Sequence, residues 1–180
     1  MIELREAREA DYPATIALTN RAYREPTGQT GWKVETIVAG QRIDAALLRE
    51  DLARPGAMLL IAAEPGAPHL GHVRLDATPD GTWFLGMLTV DPERQDAGLG
   101  RQVLEASEVY ARDRGALRIC MTVIAQRHEL IAWYQRRGYR RTGETKPFPY
   151  GDTRFGAPTR DDLCFEVLDK RLAPAGAEGV

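Results

Sequence analysis

The chain has 180 residues, with 24 Lys or Arg against 26 Asp or Glu for a formal charge of -2, a length that suits one domain burying roughly 70% of the surface its unfolded chain exposes. It has no basic run, no apolar run long enough to span a bilayer and no secretory leader behind Met1, so neither nucleic acid nor membrane is expected as a partner, and a cytoplasmic location is. Cys120 and Cys164 lie far apart in apolar runs and read as reduced thiols, and His69, His72 and His128 lack metal-motif spacing, so no metal is expected.

In chain order, residues 2–5 read as a short strand. A helix follows from Asp11, with Ile16, Asn20 and Tyr23 at helical spacing and Pro13 tolerated in its first turn. Residues 24–42 hold Pro26, Gly28, Gly31 and Gly40 around Trp32 and read as a loop or broken helix. A long loop in a compact domain, with Tyr23, Glu25, Trp32 and Glu35 on or beside it, is a candidate binding segment; the plainer reading is a surface loop pinned by one tryptophan. Asp44 can cap a helix carrying Ala45, Leu47, Leu48 and Leu52, which ends near Pro55 and Gly56. Residues 58–63, 70–77 and 82–90 read as an antiparallel meander, its last turn made by Pro79, Asp80 and Gly81.

A helix after Gly100 sets Val103, Leu104, Ala106, Ser107, Tyr110 and Ala111 toward one side and stops at Gly115. The apolar strand 117–124 comes next, and strand, helix and strand with short links make a crossover with parallel strands. A second amphipathic helix over 127–137, stopped by Gly138, precedes strands at 139–145 and 163–168. Between those two strands, Lys146, Pro147, Phe148, Pro149, Tyr150 and Gly151 form a rigid aromatic connection suited to one wall of a substrate site. The domain is expected over residues 1–172, with the small, flexible residues 173–180 disordered.

The passage from strand to helix between Val90 and Arg101 carries the chemistry. Helix-initial amides lack intrahelical partners, and the helix dipole adds partial positive charge, so a phosphate is favoured there. Gly98 and Gly100 let the backbone come close, and Arg94, Gln95 and Arg101 supply side-chain donors. A P-loop would need Lys and then Ser or Thr where Arg101 and Gln102 stand, and a dinucleotide fingerprint would need Gly or Ala at Val103. Neither fits. What fits is Gln-x-x-Gly-x-Gly, formed by Gln95, Gly98 and Gly100 just after a strand ended by Asp91 and Pro92.

That pattern resembles the coenzyme A loop of the GNAT acetyltransferase superfamily. A second match follows at the expected distance: Tyr134 stands four residues before Gly138, which is followed by aromatic Tyr139, as in the family's fourth-helix motif. The order of elements over residues 2–168 is similar as well. The resemblance implies an α/β (α+β) acyl-CoA N-acyltransferase fold, with a mixed central sheet of about seven strands flanked by helices. It implies acetyl-CoA as co-substrate. Its pantetheine arm would pair with Leu88, Thr89 and Val90 like an added strand, and its pyrophosphate would lie on the loop Arg94, Gln95, Asp96, Ala97, Gly98, Leu99, Gly100 and Arg101. The Leu88 amide would face the thioester oxygen, and Tyr134 would protonate the departing thiolate. Without the motif, a tyrosine on an apolar helix face reads simply as core.

The reaction so implied is transfer of acetyl to a primary amine of a small molecule, by direct attack in a ternary complex. Cys164 is the one candidate for a covalent route, and nothing near it in sequence reads as an activating base. The alternatives are a non-catalytic acyl-CoA sensor and an acetyltransferase of protein lysines or N-termini. The chain departs from the pattern at Asp96, where the family usually has glycine or a base, and at Arg127, where it often has asparagine. No carboxylate lies on 83–87, so the base stays open among Glu25, Glu35, Asp76, Glu144 and His72 through water, or an amine arriving neutral. Tyr23, Glu25, Trp32 and Glu35, facing Phe148 and Tyr150, would make the acceptor pocket for a cationic amine. The protein would work as a monomer or a homodimer.

Overall fold

The computed structural model describes residues 2–24, 37–93, 98–152 and 156–173. Its strands are β1 (Glu3–Glu6), β2 (Val38–Ala39), β3 (Ala57–Glu64), β4 (Ala67–Ala77), β5 (Thr82–Val90), β6 (Arg118–Ile124), β7 (Arg140–Pro147), β8 (Ala157–Pro158) and β9 (Cys164–Arg171). The α-helices are α1 (Tyr12–Arg24), α2 (Ala45–Leu52), α3 (Leu99–Arg112) and α4 (His128–Gln135). Seven strands form one mixed sheet in the order β1-β3-β4-β5-β6-β9-β7, and β2 pairs with β8 apart from it. The sequence expectation of a mixed sheet flanked by helices holds, and the βαβ crossover is the parallel β5/β6 pair bridged by α3.

Local chemistry sets the helix ends. Asp44 accepts a hydrogen bond from the Leu47 amide at 2.8 Å and starts α2. At the far end of α3, Gly115 has φ 90° and the Ala116 amide returns to the Ala111 carbonyl at 3.0 Å, a left-handed stop that a side chain would strain. The inward stripe of α3 is Leu99, Val103, Leu104, Ser107 and Ala111, all buried. With Leu60, Val73, Leu75, Ile119, Met121, Ile131 and Leu168 it belongs to the larger core. A smaller core lies with α1 and α2, where Ile43, Leu48, Leu59, Ile61 and Met87 meet.

The order of the last strands differs from simple adjacency. β9 lies between β6 and β7 and is antiparallel to both, so β7 pairs with β9 alone and is an edge. A helix is about 10–12 Å across and neighbouring strands about 4.8 Å apart, so the crossover through α4 has room for one strand between those it joins, whereas the crossover through α3 joins the neighbours β5 and β6. The edge strand is exposed along its whole length and carries Arg140, Arg141 and Lys146, charges that discourage further pairing. Boundaries shift too. Residue 127 is the cap of α4 rather than its first turn, Lys146 and Pro147 continue β7, and Tyr139 is a buried core residue just ahead of that strand. The expected tail at 174–180 lies outside the described residues.

One irregularity positions the site. Pairing of β4 with β5 slips between His72 and Arg74, and Met87 opposite the slip has φ 51°, the left-handed region rarely used by a side-chain-bearing residue. Leu85 packs into the core of α3 and α4, whereas Met87, two residues on, packs into that of α1 and α2. Strict alternation would put both on one face, so the bulge reverses the facing of everything after it.

Candidate active site

β5 loses its second neighbour before the bulge is reached. The parallel pairing of β5 with β6 ends at Phe84 and Cys120, so Leu85 to Val90 has β4 on one side and an opening on the other. This opening is part of a cleft of about 910 Å³, lined by Leu88, Thr89 and Val90 on β5, Met121 to Ile124 on β6, and Tyr134 on α4. Its size suits a large ligand. A strand edge left open in the middle of a sheet offers amides and carbonyls to an extended amide-bearing chain.

At one end of the cleft α3 begins. Gly98, the residue before the helix, has φ 70°, and the first intrahelical bond comes from the Gln102 amide to the Gly98 carbonyl at 3.1 Å. The amides of Leu99, Gly100 and Arg101 precede that bond and carry the partial positive charge of the helix end. Gly100 is helical. A β-carbon there would meet only Trp133 Cζ2, at 3.7 Å, so its lack of a side chain leaves open space rather than relieving strain. Arg101, Arg127 and Arg137 also line this end. Arg137 lies over the Trp133 ring, 3.6 Å from its centroid, and donates to the Trp133 carbonyl at 2.7 Å. Burial, Arg136 and Arg101 together hold its pKa below the usual guanidinium range, with Glu105 pulling the other way. These groups suit phosphates.

Tyr134 is 6% exposed, its ring edge-on to Trp133 and Tyr139 at 4.9 and 5.6 Å between centroids. Burial, helped by Tyr23, pushes its pKa well above the ordinary phenol value, while Arg127 and Arg137 pull the other way. The phenol is therefore a proton carrier at neutral pH. Tyr23 on α1 reaches in from the far side, its hydroxyl donating to the Leu88 carbonyl at 3.3 Å. That bond ties α1 to the strand segment whose amide would polarise a thioester.

The opposite end has another character. Glu50 and Asp51 of α2, Arg54 just after it, and Arg74 and Asp76 of β4 line it, with Phe84, Phe148 and Phe165. Arg74 binds Asp51, which also binds Arg54, and reaches Asp76 at 3.2 Å. Phe148 is buried and stacks on Phe165, with 5.5 Å between centroids and 23° between planes.

Of the acceptor residues expected from sequence, Tyr23 and Phe148 line the cleft. Tyr150 does not: its hydroxyl donates to the Arg160 carbonyl at 3.1 Å and accepts from the Leu163 amide at 2.7 Å, so it braces the connection before β9. Glu25, Trp32, Glu35, Arg94, Gln95, Asp96 and Ala97 lie outside the described residues. Among the suggested bases, His72 is wholly buried between Thr19 and His69, Glu144 sits on the exposed edge strand beside Lys146, and Asp76 alone of the three lines the cleft. Cys164 is a free, half-buried thiol outside the cleft lining. Sequence reading passed over Phe84, Phe165, Asp51 and Arg74. A signal for Arg74 existed: Arg and Asp two apart in an otherwise apolar strand must share the face opposite Val73 and Leu75.

The profile of the acetyltransferase (GNAT) family matches residues 17–139. A mycothiol acetyltransferase from Saccharopolyspora erythraea is 29% identical over 126 residues, which are 70% of this chain and 39% of that protein. The chain thus spans well under half the length of that curated relative. Among solved structures, the ribosomal-protein-S18-alanine N-acetyltransferase of Escherichia coli superposes with a TM-score of 0.66 at 18% identity, over 100% of this chain and 99% of that one. The ribosomal-protein-alanine N-acetyltransferase of Brucella melitensis does so with 0.66 at 21% identity, over 94% and 99%. At such identities these two show a shared fold, while the profile match spans more than half the chain. The chain belongs to the GNAT acetyltransferase family.

Proposed function

We propose that this chain is an acetyl-CoA-dependent N-acetyltransferase that acetylates the primary amine of a small molecule by direct attack in a ternary complex. The observation that carries the proposal is the separation of β5 from β6 after Phe84, with Leu88 on one wall of the gap and Tyr134 on the other. The residues present suit acetyl-CoA: helix-initial amides and three arginines for its phosphates, and an unpaired strand edge for its amide-bearing arm. The thioester is the chemistry the co-substrate supplies.

The amine nitrogen forms a bond to the thioester carbon, and the carbon–sulfur bond breaks. The Leu88 amide donates to the oxygen that gains charge on the way, an arrangement typically worth about 3 kcal/mol. The attacking nitrogen sheds one proton to water as the amide forms, while Tyr134 gives its proton to the leaving sulfur and recovers one from solvent. A raised phenol pKa would seem to oppose this. The same burial raises the pKa of the thiolate it serves, however, and the difference between the two decides the transfer.

The test is release of free CoA thiol on addition of a panel of primary amines, together with the melting temperature. Acetyl-CoA at ~100 times its dissociation constant should add about 2.7 kcal/mol of stability. A folded protein whose melting curve ignores millimolar acetyl-CoA would sink the reading. A clear melting shift without thiol release for any amine would instead favour a silent acyl-CoA sensor.

A further inference from the structure

We infer that the acceptor is a diamine, with one amine attacking near Leu88 and the other held as an ammonium by Asp76; this rests on the small-amine reading above. Asp76 and Phe84 are cross-strand partners of β4 and β5, as are Arg74 and Gly86, so these four share one face of the sheet, and all line the cleft. Phe84 is 39% exposed there, a large aromatic ring beside a carboxylate. Ring faces and carboxylates together hold ammonium groups.

Asp76 is poorly satisfied for a carboxylate. Its Oδ2 accepts from Arg74 Nη2 at 3.2 Å, while its Oδ1 is enclosed with no hydrogen-bond partner among the described residues. Arg74 meanwhile divides itself between Asp51 and Asp76. Among the charged groups that line the acceptor end, Glu50, Asp51 and Asp76 are balanced by Arg42, Arg54 and Arg74, whereas the cofactor end shows Arg101, Arg127 and Arg137. The cleft is polarised, and a second positive charge on the acceptor belongs at the Asp76 end.

Distance selects a diamine rather than a simple amine. Phe84, opposite Asp76, is four residues before Leu88, a span of roughly 10–13 Å after allowing for the bulge. The amine that attacks beside Leu88 is then too far away to rest on Asp76 itself, but a chain of four to six carbons, an order-of-magnitude match to that gap, carries a second nitrogen to it. Gly86 lies midway and has no side chain; a β-carbon there would stand 3.5 Å from Arg74 Nη2. The Arg74 guanidinium lies over this bare position, so the carbon chain passes beside it.

The experiment compares kcat/KM for diaminopentane, n-pentylamine and diaminoethane by CoA thiol release. Diaminopentane should exceed pentylamine by about tenfold, and diaminoethane, too short to reach, should not. In Asp76→Asn the ratio of diaminopentane to pentylamine should fall to near one through a higher KM for the diamine. A residue that only supports the fold would lower both amines in proportion and leave the ratio alone. Asp76→Glu keeps a carboxylate for Arg74 and should move the preferred diamine one carbon shorter, which serves as the second variant if the asparagine protein melts early. Pentylamine turned over as well as diaminopentane by the parent, or a ratio that survives Asp76→Asn, overturns the inference while leaving the small-amine reading intact. Absence of turnover with every amine overturns both.

Discussion

At the α3 end of the cleft, ligand would meet the amides of Leu99, Gly100 and Arg101 and the guanidinium groups of Arg101, Arg127 and Arg137; at the α2 end it would meet carboxylates, Arg74 and aromatic rings. The first end is made mostly of backbone, from a contiguous strand, turn and helix. The second is assembled from side chains on α2, β4, β5, β9 and the connection after β7, which are distant in sequence. Backbone sites constrain sequence locally, because a turn needs glycine at a given offset whatever else the chain does. Side-chain sites constrain only what happens to meet in space. The difference explains how one fold keeps a co-substrate while its acceptor varies, and it can be probed end by end.

The largest effect is expected at the gap between the two ends. Tyr134→Phe keeps a ring buried against Trp133 and Tyr139 and removes only the hydroxyl. Turnover should fall ~100-fold or more, with acetyl-CoA affinity nearly unchanged. Parallel loss of affinity and melting temperature would make Tyr134 a packing residue, and full turnover across pH at saturating amine would remove it from the chemistry.

Gly100→Val tests the backbone-built end. Gly98 is the left-handed residue of this turn, whereas Gly100 has ordinary helical φ, so valine at 100 brings no backbone strain. Its branches would extend into the space before the first turn of α3. Acetyl-CoA affinity should drop about tenfold by isothermal titration, with the amine KM and the melting temperature close to the parent's. An unchanged affinity in a folded variant would move the phosphates elsewhere.

How much was legible follows the same division. Gly98, Gly100 and Tyr134 stood out because each sits at a fixed offset from a strand or helix end, and the element order around them agreed, while Gln95 lies outside the described residues. The insertion of β9 between β6 and β7 was not legible, since the crossover through α3 joins neighbouring strands and the one through α4 does not, and no residue marks the difference. Nor was the bulge at Met87, a residue type that gives no hint of positive φ. Tyr150 misled for a related reason: aromatic residues in a rigid connection look alike in sequence whether they face a ligand or, like this one, bind the Leu163 amide. Asp76 was named only as one of several possible bases and Arg74 was visible only as a polar interruption of a strand, and the Asp51 with which Arg74 forms an ion pair lies on another element.

Tyr23→Phe sharpens the comparison where the two ends touch. It removes the bond from the α1 hydroxyl to the Leu88 carbonyl and nothing from the phosphate end. A neutral hydrogen bond contributes about 1 kcal/mol, so kcat/KM for the amine should fall about fivefold, with acetyl-CoA affinity preserved. Equal losses in both would mean that Tyr23 holds the whole strand rather than the acceptor side.

The last effect falls on stability rather than on turnover and concerns the packing behind the acceptor end. His72 on β4 is fully buried, its Nε2 2.8 Å from the Thr19 hydroxyl of α1 and its Nδ1 3.2 Å from His69 Nε2. Burial, with a smaller contribution from His69, pushes its pKa down to about 3. An unfolded chain would take up this proton below its ordinary value of about 6.5, whereas the folded chain refuses it until far lower pH. The contribution to stability is therefore complete above pH 6.5 and is lost as pH falls from there toward 3, amounting to about 0.8 kcal/mol by pH 6 and growing below. His69, also lowered by burial, adds in the same direction. His72→Gln should be less stable than the parent at pH 8, because the packing with Thr19 changes, yet lose less further stability between pH 8 and pH 5. Urea unfolding at a series of pH values measures the two slopes. Parallel curves would show that His72 is protonated in the folded protein, in which case α1, and with it Tyr23, is held on β4 by a charge rather than by a neutral ring.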